Sequence, residues 1–218
     1  MTKRTTFDEN VEQQLLIAAA RVFRQRGYAS ASLREIASEV GMHLGSLQYR
    51  FSTKEALFVA LAARGLTQGL AVIEGAIAPT DDPVERLQFA FQAHIRQLLG
   101  DDAAYYVLIS EWRCLSPEAL SAVITYRARY MRFIDDLVEQ AARAGALKPG
   151  LDPKLSRQFL FGAANWMALV APFIGGVDAD AVARQFWQMF AAGVLMPSGG
   201  AALGEASGVL SRGAAHGR

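Results

Sequence analysis

Apolar residues recur at three- and four-residue intervals along nearly the whole chain, and no run of β-branched residues alternates with polar ones. That period belongs to amphipathic helices and predicts an all-α protein. Val11, Leu15, Ala18, Val22 and Phe23 share one face of a first helix, which Gly27 closes. Ser32 followed by Glu35 is a capping-box spacing that opens a short helix with Ile36, Ala37 and Val40, ending at Gly41. The stretch GMHLGSLQYRFSTKEAL, residues 41–57, then packs a glycine turn, a very short helix and the start of another into one segment. A helix of that length is marginal in water, so the surrounding domain must hold it out for a partner. Ser52 and Glu55 repeat the capping spacing ahead of a longer helix, about 54–78, that ends near Pro79.

Beyond this the pattern is cut by Thr80-Asp81-Asp82-Pro83, Gly100-Asp101-Asp102, Ser116-Pro117, the stretch from Gly145 to Pro153, and Gly175-Gly176. Helices are predicted near 83–99, 103–114, 117–144, 153–174 and 178–195, about nine in all. Pro117 and Pro153 suit first-turn positions, where a missing N–H costs nothing. From Pro197 the chain is rich in Gly, Ala and Ser and reads as a frayed tail. The predicted organisation is a three-helix domain over 1–54, a larger helical domain over 55–196, and a tail over 197–218.

Composition changes this picture little. A net charge of +1 directs attention to local charge, and the single cysteine, Cys114, rules out an internal disulfide framework. The N-terminus has no apolar signal core, so a cytoplasmic protein is expected. Residues 159–177 lack charge and are about long enough to span a bilayer. Asn165, Pro172 and the many Ala and Gly residues favour a buried helix at a subunit interface, and no membrane partner is expected.

Short helix, glycine turn and short helix, braced by a longer first helix, form a helix-turn-helix arrangement whose second helix can enter the major groove of double-stranded DNA. Gln48 can pair bidentately with an adenine edge and Arg50 with guanine. Tyr49, Thr53 and Lys54 can donate to phosphates. Residues 1–54 hold eight Lys/Arg against five Asp/Glu, a basic excess that the whole chain lacks. A helical bundle with a solvated polar face, or a helix-turn-helix serving only protein contacts, has the same spacing.

Gly27-Tyr28, Leu33-Arg34-Glu35-Ile36-Ala37, Val40-Gly41, Gly45-Ser46-Leu47, Tyr49, Phe51 and Thr53-Lys54-Glu55-Ala56-Leu57 closely resemble the N-terminal domain of the TetR family of transcriptional regulators. The resemblance runs over about residues 10–58, and the later helices agree with the family's second domain in number and length. It implies an all-helical homodimer that represses transcription and leaves its operator when a small molecule binds. By the family pattern Tyr49 and Lys54 contact phosphates, and Arg34 lies near the DNA backbone. The recognition segment departs from the commoner form, with Met42-His43-Leu44 as lead-in and Gln48 where tyrosine is frequent. The expected DNA-facing set is Arg34, His43, Leu44, Gly45, Ser46, Gln48, Tyr49, Arg50, Thr53 and Lys54.

Two stripes near the C-terminus, Phe159, Ala163, Trp166 and Val170 on one helix and Val182, Phe186, Met189 and Phe190 on the next, could form a four-helix dimer interface. Gly162 and Gly193 would permit close approach. The alternative is that both stripes are monomer core. An effector pocket is expected among Phe89, Phe91, Tyr105, Tyr106, Ile109, Trp112, Tyr130, Phe133, Asn165 and Trp166. Tyr126, Arg129 and Arg132-Phe133, with Arg127 nearby, add a basic face that would suit an amphipathic anion such as an acyl-CoA. The segment from Phe161 to Trp166 is also similar to TetR-type regulators of lipid or steroid breakdown that sense acyl-CoA thioesters. The alternative is that Arg129 and Arg132 pair along their own helix with Asp135, Asp136 or Glu139.

Catalysis finds little support. The pairs Asp81-Asp82, Asp101-Asp102 and Asp135-Asp136 are adjacent in sequence, and neighbours on a helix diverge. His43, His94 and His216 have no metal-ligand spacing, and a His94–Cys114 pair would lack an orienting group. No cofactor or metal is expected. A carrier or interaction module without DNA readout is the main alternative to a regulator.

Overall fold

A computed structural model of the chain describes residues 2–100 and 103–197, with side chains from Asn10 onward. The tail beyond Pro197, Asp101-Asp102, His216 and the side chains of Lys3, Arg4, Asp8 and Glu9 lie outside the described residues.

The helices are α1 (Thr2–Arg26), α2 (Leu33–Glu39), α3 (Leu44–Arg50), α4 (Lys54–Ile77), α5 (Pro83–Leu99), α6 (Ala103–Ser110), α7 (Pro117–Arg143), α8 (Pro153–Ile174) and α9 (Ala179–Val194). Among the described residues there is no β-strand, only one isolated bridge between Leu147 and Leu195. Side-chain caps set most helix starts. Ser32 and Glu35 form the expected capping box, each side chain meeting the other's backbone N–H. Asp82, Ser116, Asp152 and Asp178 cap α5, α7, α8 and α9, with proline in the first turn of α5, α7 and α8.

Two expectations change. The start of α4 is capped by Thr53, whose Oγ1 accepts from the Ala56 N–H at 3.0 Å, and not by a Ser52–Glu55 box. Glu55 is drawn away to the α7 cap, where its carboxylate accepts from Ser116 N at 2.7 Å and Ser116 Oγ at 3.0 Å. The helix expected over 103–114 stops at Ser110 and continues as a single 3₁₀ turn, Trp112–Cys114. Its break comes at Glu111, whose carboxylate accepts the Tyr28 N–H across the molecule at 2.9 Å. Pro117 just beyond favours the extended backbone seen at Ser116.

Burial divides the interior into two cores. The first joins α1, α2 and α3 to the first half of α4, parts of α6 and the start of α7, around Leu15, Phe23, Ile36, Leu47, Leu57, Phe58 and Leu61. Phe23, Tyr28 and Phe58 meet at ring-centroid distances of 5.3–6.0 Å. The second lies between the rest of α4 and α5, α7, α8 and α9, around Ile73, Leu87, Phe91, Ile134, Leu160 and Phe190. The first core therefore crosses residue 54 and ties the N-terminal helices to α6 and α7. Among the described helices, α4 alone is long and apolar enough to cross a bilayer; here it packs against α1, α5, α6 and α7.

Candidate nucleic-acid interface and ligand pocket

α3 is anchored from below and open above. Leu47 is fully buried and Phe51 nearly so, which pins the helix to the first core. Gly45, Ser46, Gln48 and Tyr49 face outward with His43 at the N-cap, and Tyr49 is 92% exposed. So large an aromatic ring left in water is a contact group awaiting a partner. Leu44 and Arg50 are half-buried, and Arg34 and Thr53 are exposed beside this face. A Cβ on Gly45 would meet nothing within 4 Å, so the helix surface there is bare and low. The arrangement offers a short helix edge carrying amide, phenol and guanidinium groups, donors of the kind that base edges and phosphates accept.

Lys54 departs from its expected role. Its Nζ donates to the carbonyls of Tyr28, Ala29 and Ala31 at 2.7, 3.2 and 2.9 Å and stands 4.4 Å from the Tyr28 ring centroid. An ammonium has three protons, and all three are taken here. In this structure Lys54 closes the α1–α2 loop.

A cavity of about 120 Å³ lies between α4, α5, α6, α7 and α8. Of the expected lining residues, Tyr105, Ile109, Trp112, Tyr130 and Asn165 are there. Leu66, His94, Leu98, Leu108, Val123, Arg127 and Met131 complete the wall. The others lie elsewhere. Phe91 is core and meets Phe161 edge-on, while Phe89 and Phe133 pack against the second core. Tyr106 belongs to the first core, with the Arg24 guanidinium 5.4 Å from its ring. Trp166 is 66% exposed on the outer face of α8. The lining cation is Arg127 and not Arg129. Val123, Arg127, Tyr130 and Met131 recur at helical spacing, whereas residue 129 is turned about 200° from residue 127. Asp135 pairs with Arg157 of α8 at 2.5 Å, so it does not serve Arg129 or Arg132.

Gly69 makes room for Tyr105, one of the lining residues. A Cβ there would stand 1.4 Å from Tyr105 Oη, so only glycine lets the tyrosine reach the Gly65 carbonyl and Gln97 Oε1. Deeper in, His94 Nδ1 lies 2.6 Å from Tyr130 Oη, and Nε2 lies 3.3 Å from Asn165 Oδ1. Burial pushes the His94 pKa down to about 4, against a smaller upward pull from Asn165. The ring is neutral at pH 7. The unfolded chain takes up this proton below about pH 6.5 while the folded chain refuses it until about pH 4. Stability from this source is complete above pH 6.5 and is lost as pH falls to 4, by on the order of 3 kcal/mol. Denaturant midpoints measured from pH 7 to pH 4 should fall accordingly, and less steeply for His94→Gln. An identical pH profile in that variant would show that the ring is not shielded. The sequence suggests only Cys114 as a partner for His94, because Tyr130 and Asn165 lie 36 and 71 residues away.

Residues 15–61 match the profile described as bacterial regulatory proteins, tetR family, and residues 80–194, more than half the chain, match the tetracyclin repressor-like C-terminal domain. The chain belongs to the TetR family. It is a ligand-responsive, DNA-binding transcriptional regulator. TetR-family regulators bind operator DNA and small-molecule effectors and are dimeric. Among its relatives is the fatty acid metabolism regulator protein of Bacillus subtilis strain 168, 26% identical over 149 residues, covering 68% of this chain and 77% of that one. The transcriptional repressor KstR2 of Mycobacterium tuberculosis H37Rv is 27% identical over 183 residues, covering 83% and 91%. The crystal structure of the regulator FadR from Bacillus subtilis, in complex with stearoyl-CoA, superposes with a TM-score of 0.73 at 23% identity, covering 83% of this chain and 98% of that one. That likeness is one of fold.

The residues expected at a dimer interface divide. Phe159, Trp166 and Met189 are exposed, and Gly193 is exposed beyond them on α9. Gly162, Ala163, Val170, Val182 and Phe186 are half-buried, the last two against the second core. Phe190 is the correction. It is fully buried 5.6 Å from the Trp187 ring and is monomer core.

Proposed function

We propose that this TetR-family protein binds a roughly palindromic operator in the cytoplasm as a homodimer and leaves it when an amphipathic anion, acyl-CoA-like in shape, enters the α4–α8 cavity. The observation that carries the reading is an apolar cavity with an arginine in its wall, beside a short segment, residues 111–116, that is hydrogen-bonded to the α1–α2 loop and to the start of α4. Leu66, Leu98, Ile109 and Met131 suit an acyl chain, and Arg127 suits a carboxylate or phosphate. A relative named as a fatty acid metabolism regulator, and the likeness to KstR2, whose structure is described as that of a ketosteroid transcriptional regulator, support a lipid-derived effector.

The cavity is smaller than the roughly 300 Å³ at which ligand pockets begin. An acyl chain must therefore push its walls apart. Trp112 is one wall, and its neighbours Glu111 and Ser116 hold Tyr28 and Glu55. Outward movement of this turn pulls on the α1–α2 loop and the base of α4, which changes the separation of the two recognition helices in the dimer. The coupling is a two-state equilibrium that the ligand biases.

Titrating the operator-bound protein with acyl-CoAs, free fatty acids and neutral aromatics, read by fluorescence anisotropy, tests this. Acyl-CoAs should release the operator at the lowest concentration, and Arg127→Ala should raise that concentration about tenfold, as expected for one charged contact. Release by neutral compounds alone, unchanged in Arg127→Ala, would overturn the anionic reading.

A further inference from the structure

The polar cluster at the cavity's buried end has a direction. Among the described residues the Tyr130 hydroxyl meets no acceptor other than His94 Nδ1, so it donates there; the ring proton then sits on Nε2, which donates to Asn165 Oδ1. Three side chains from α5, α7 and α8 thus form one chain of donation: Tyr130 to His94, and His94 to Asn165. His94 is enclosed, with the Phe161 ring 5.0 Å from its own and the Tyr130 ring at 5.9 Å. Packing therefore holds it in one orientation. A neutral imidazole with both nitrogens occupied has nothing left to give. Asn165 does, because the oxygen of its amide is committed and its NH₂ is not. It stands in the cavity wall beside apolar residues, among Leu66, Leu98, Ile109 and Met131.

We infer that Asn165 is the specificity residue of this cavity, donating its amide NH₂ to an uncharged carbonyl oxygen of the effector, with Tyr130 and His94 as positioning residues. The inference rests on the reading of this cavity as the effector pocket. It goes beyond that reading by requiring a ketone, ester or thioester oxygen in addition to an apolar body. Tyr130 and His94 fix the polarity of Asn165. Without them the amide could turn over and present its oxygen, which would attract a donor and repel a carbonyl. Burial also holds the Tyr130 phenol far above its ordinary pKa, so it stays a donor at any physiological pH. A site built to give a hydrogen bond rejects an isostere that cannot take one, because its buried donor is then left unpaired.

Two matched pairs separate this inference from the proposed function. Octanoyl-CoA and S-octyl-CoA share chain and anion and differ in the thioester carbonyl. Cyclohexanone and methylcyclohexane are near-isosteres of a size with the cavity, and they need no anion site. Affinities are read by calorimetry for the CoA pair and by ligand-observed NMR for the cyclic pair. The wild-type protein should prefer the carbonyl member of a pair by about tenfold. Asn165→Leu, which keeps the volume, should bring the ratio near one, and Tyr130→Phe should lower it. Loss of volume or of stability alone would weaken both members of a pair together and leave the ratio intact. If neither CoA compound binds, the anionic reading fails and the cyclic pair alone decides the carbonyl inference. Equal affinity for both members in wild type, a preference that survives Asn165→Leu, or no binding by either pair would overturn it.

Discussion

Trp166→Arg is expected to split the protein into monomers and to weaken operator binding by about 10²–10⁴, the loss that follows when two linked contacts become one. Leu155, Phe159, Trp166 and Phe173 are all exposed along α8, and Met189 is exposed on the neighbouring α9. A contiguous apolar face of this kind marks an interaction surface. A twofold partner seated there sets two α3 helices about one DNA turn apart, which a monomer cannot do. Placing a guanidinium at the centre leaves a charge buried and unpaired in the assembled state, at a cost of several kcal/mol. Light scattering and operator titration at matched concentration check both halves of the expectation. A variant that stays dimeric, or a monomer with wild-type operator affinity, would sink the assignment of this face. Phe190→Arg is a poor substitute, because a fully buried ring replaced by a charge damages the fold first.

Lys54→Ala is expected to lower the thermal midpoint by about 5–10 °C, corresponding to about 2–3 kcal/mol. Three carbonyls of the α1–α2 loop lose their donor at once, and the Tyr28 ring loses its cation. Operator affinity should fall as well, since the loop positions α2 against α3. The slope of log affinity against log salt separates this from a phosphate contact. Measured at low temperature, where the variant is folded, the slope should match wild type. A lysine on phosphate would instead reduce it by about one unit. A flattened slope with an unchanged midpoint would return Lys54 to the DNA.

The helices and their order were readable because each depends on nearby residues. The 3.6-residue period, Ser32–Glu35, and the prolines before α5, α7 and α8 act within a turn or two of themselves. The recognition helix was readable for the same reason, since Leu47 and Phe51 inside and Tyr49 outside follow from spacing on one short helix. Where two demands met on one residue, the local signal misled. Glu55 had a capping partner at the right distance in sequence, yet Ser116 offered its carboxylate two donors from across the fold. Glu111 interrupted α6 for a similar bond to Tyr28.

Sequence alone determined an all-helical chain, a helix-turn-helix of the TetR type, and a second domain rich in aromatic residues, because local periodicity and motif spacing carry that information. Which apolar face is core and which is open was decided only in three dimensions. Phe190 and Trp166 lie on equally apolar stripes, and the packing of α9 against α5 buries the first while α8 leaves the second outside. The pocket was decided the same way. Arg127 and Arg129 differ by two positions, and only the orientation of α7 in the bundle turns one of them to the cavity. His94 meets Tyr130 and Asn165 because α5, α7 and α8 converge, a juxtaposition over long separations that no local pattern encodes. Burial then sets the chemistry of that cluster, by stripping water from an imidazole and leaving one amide to speak for it.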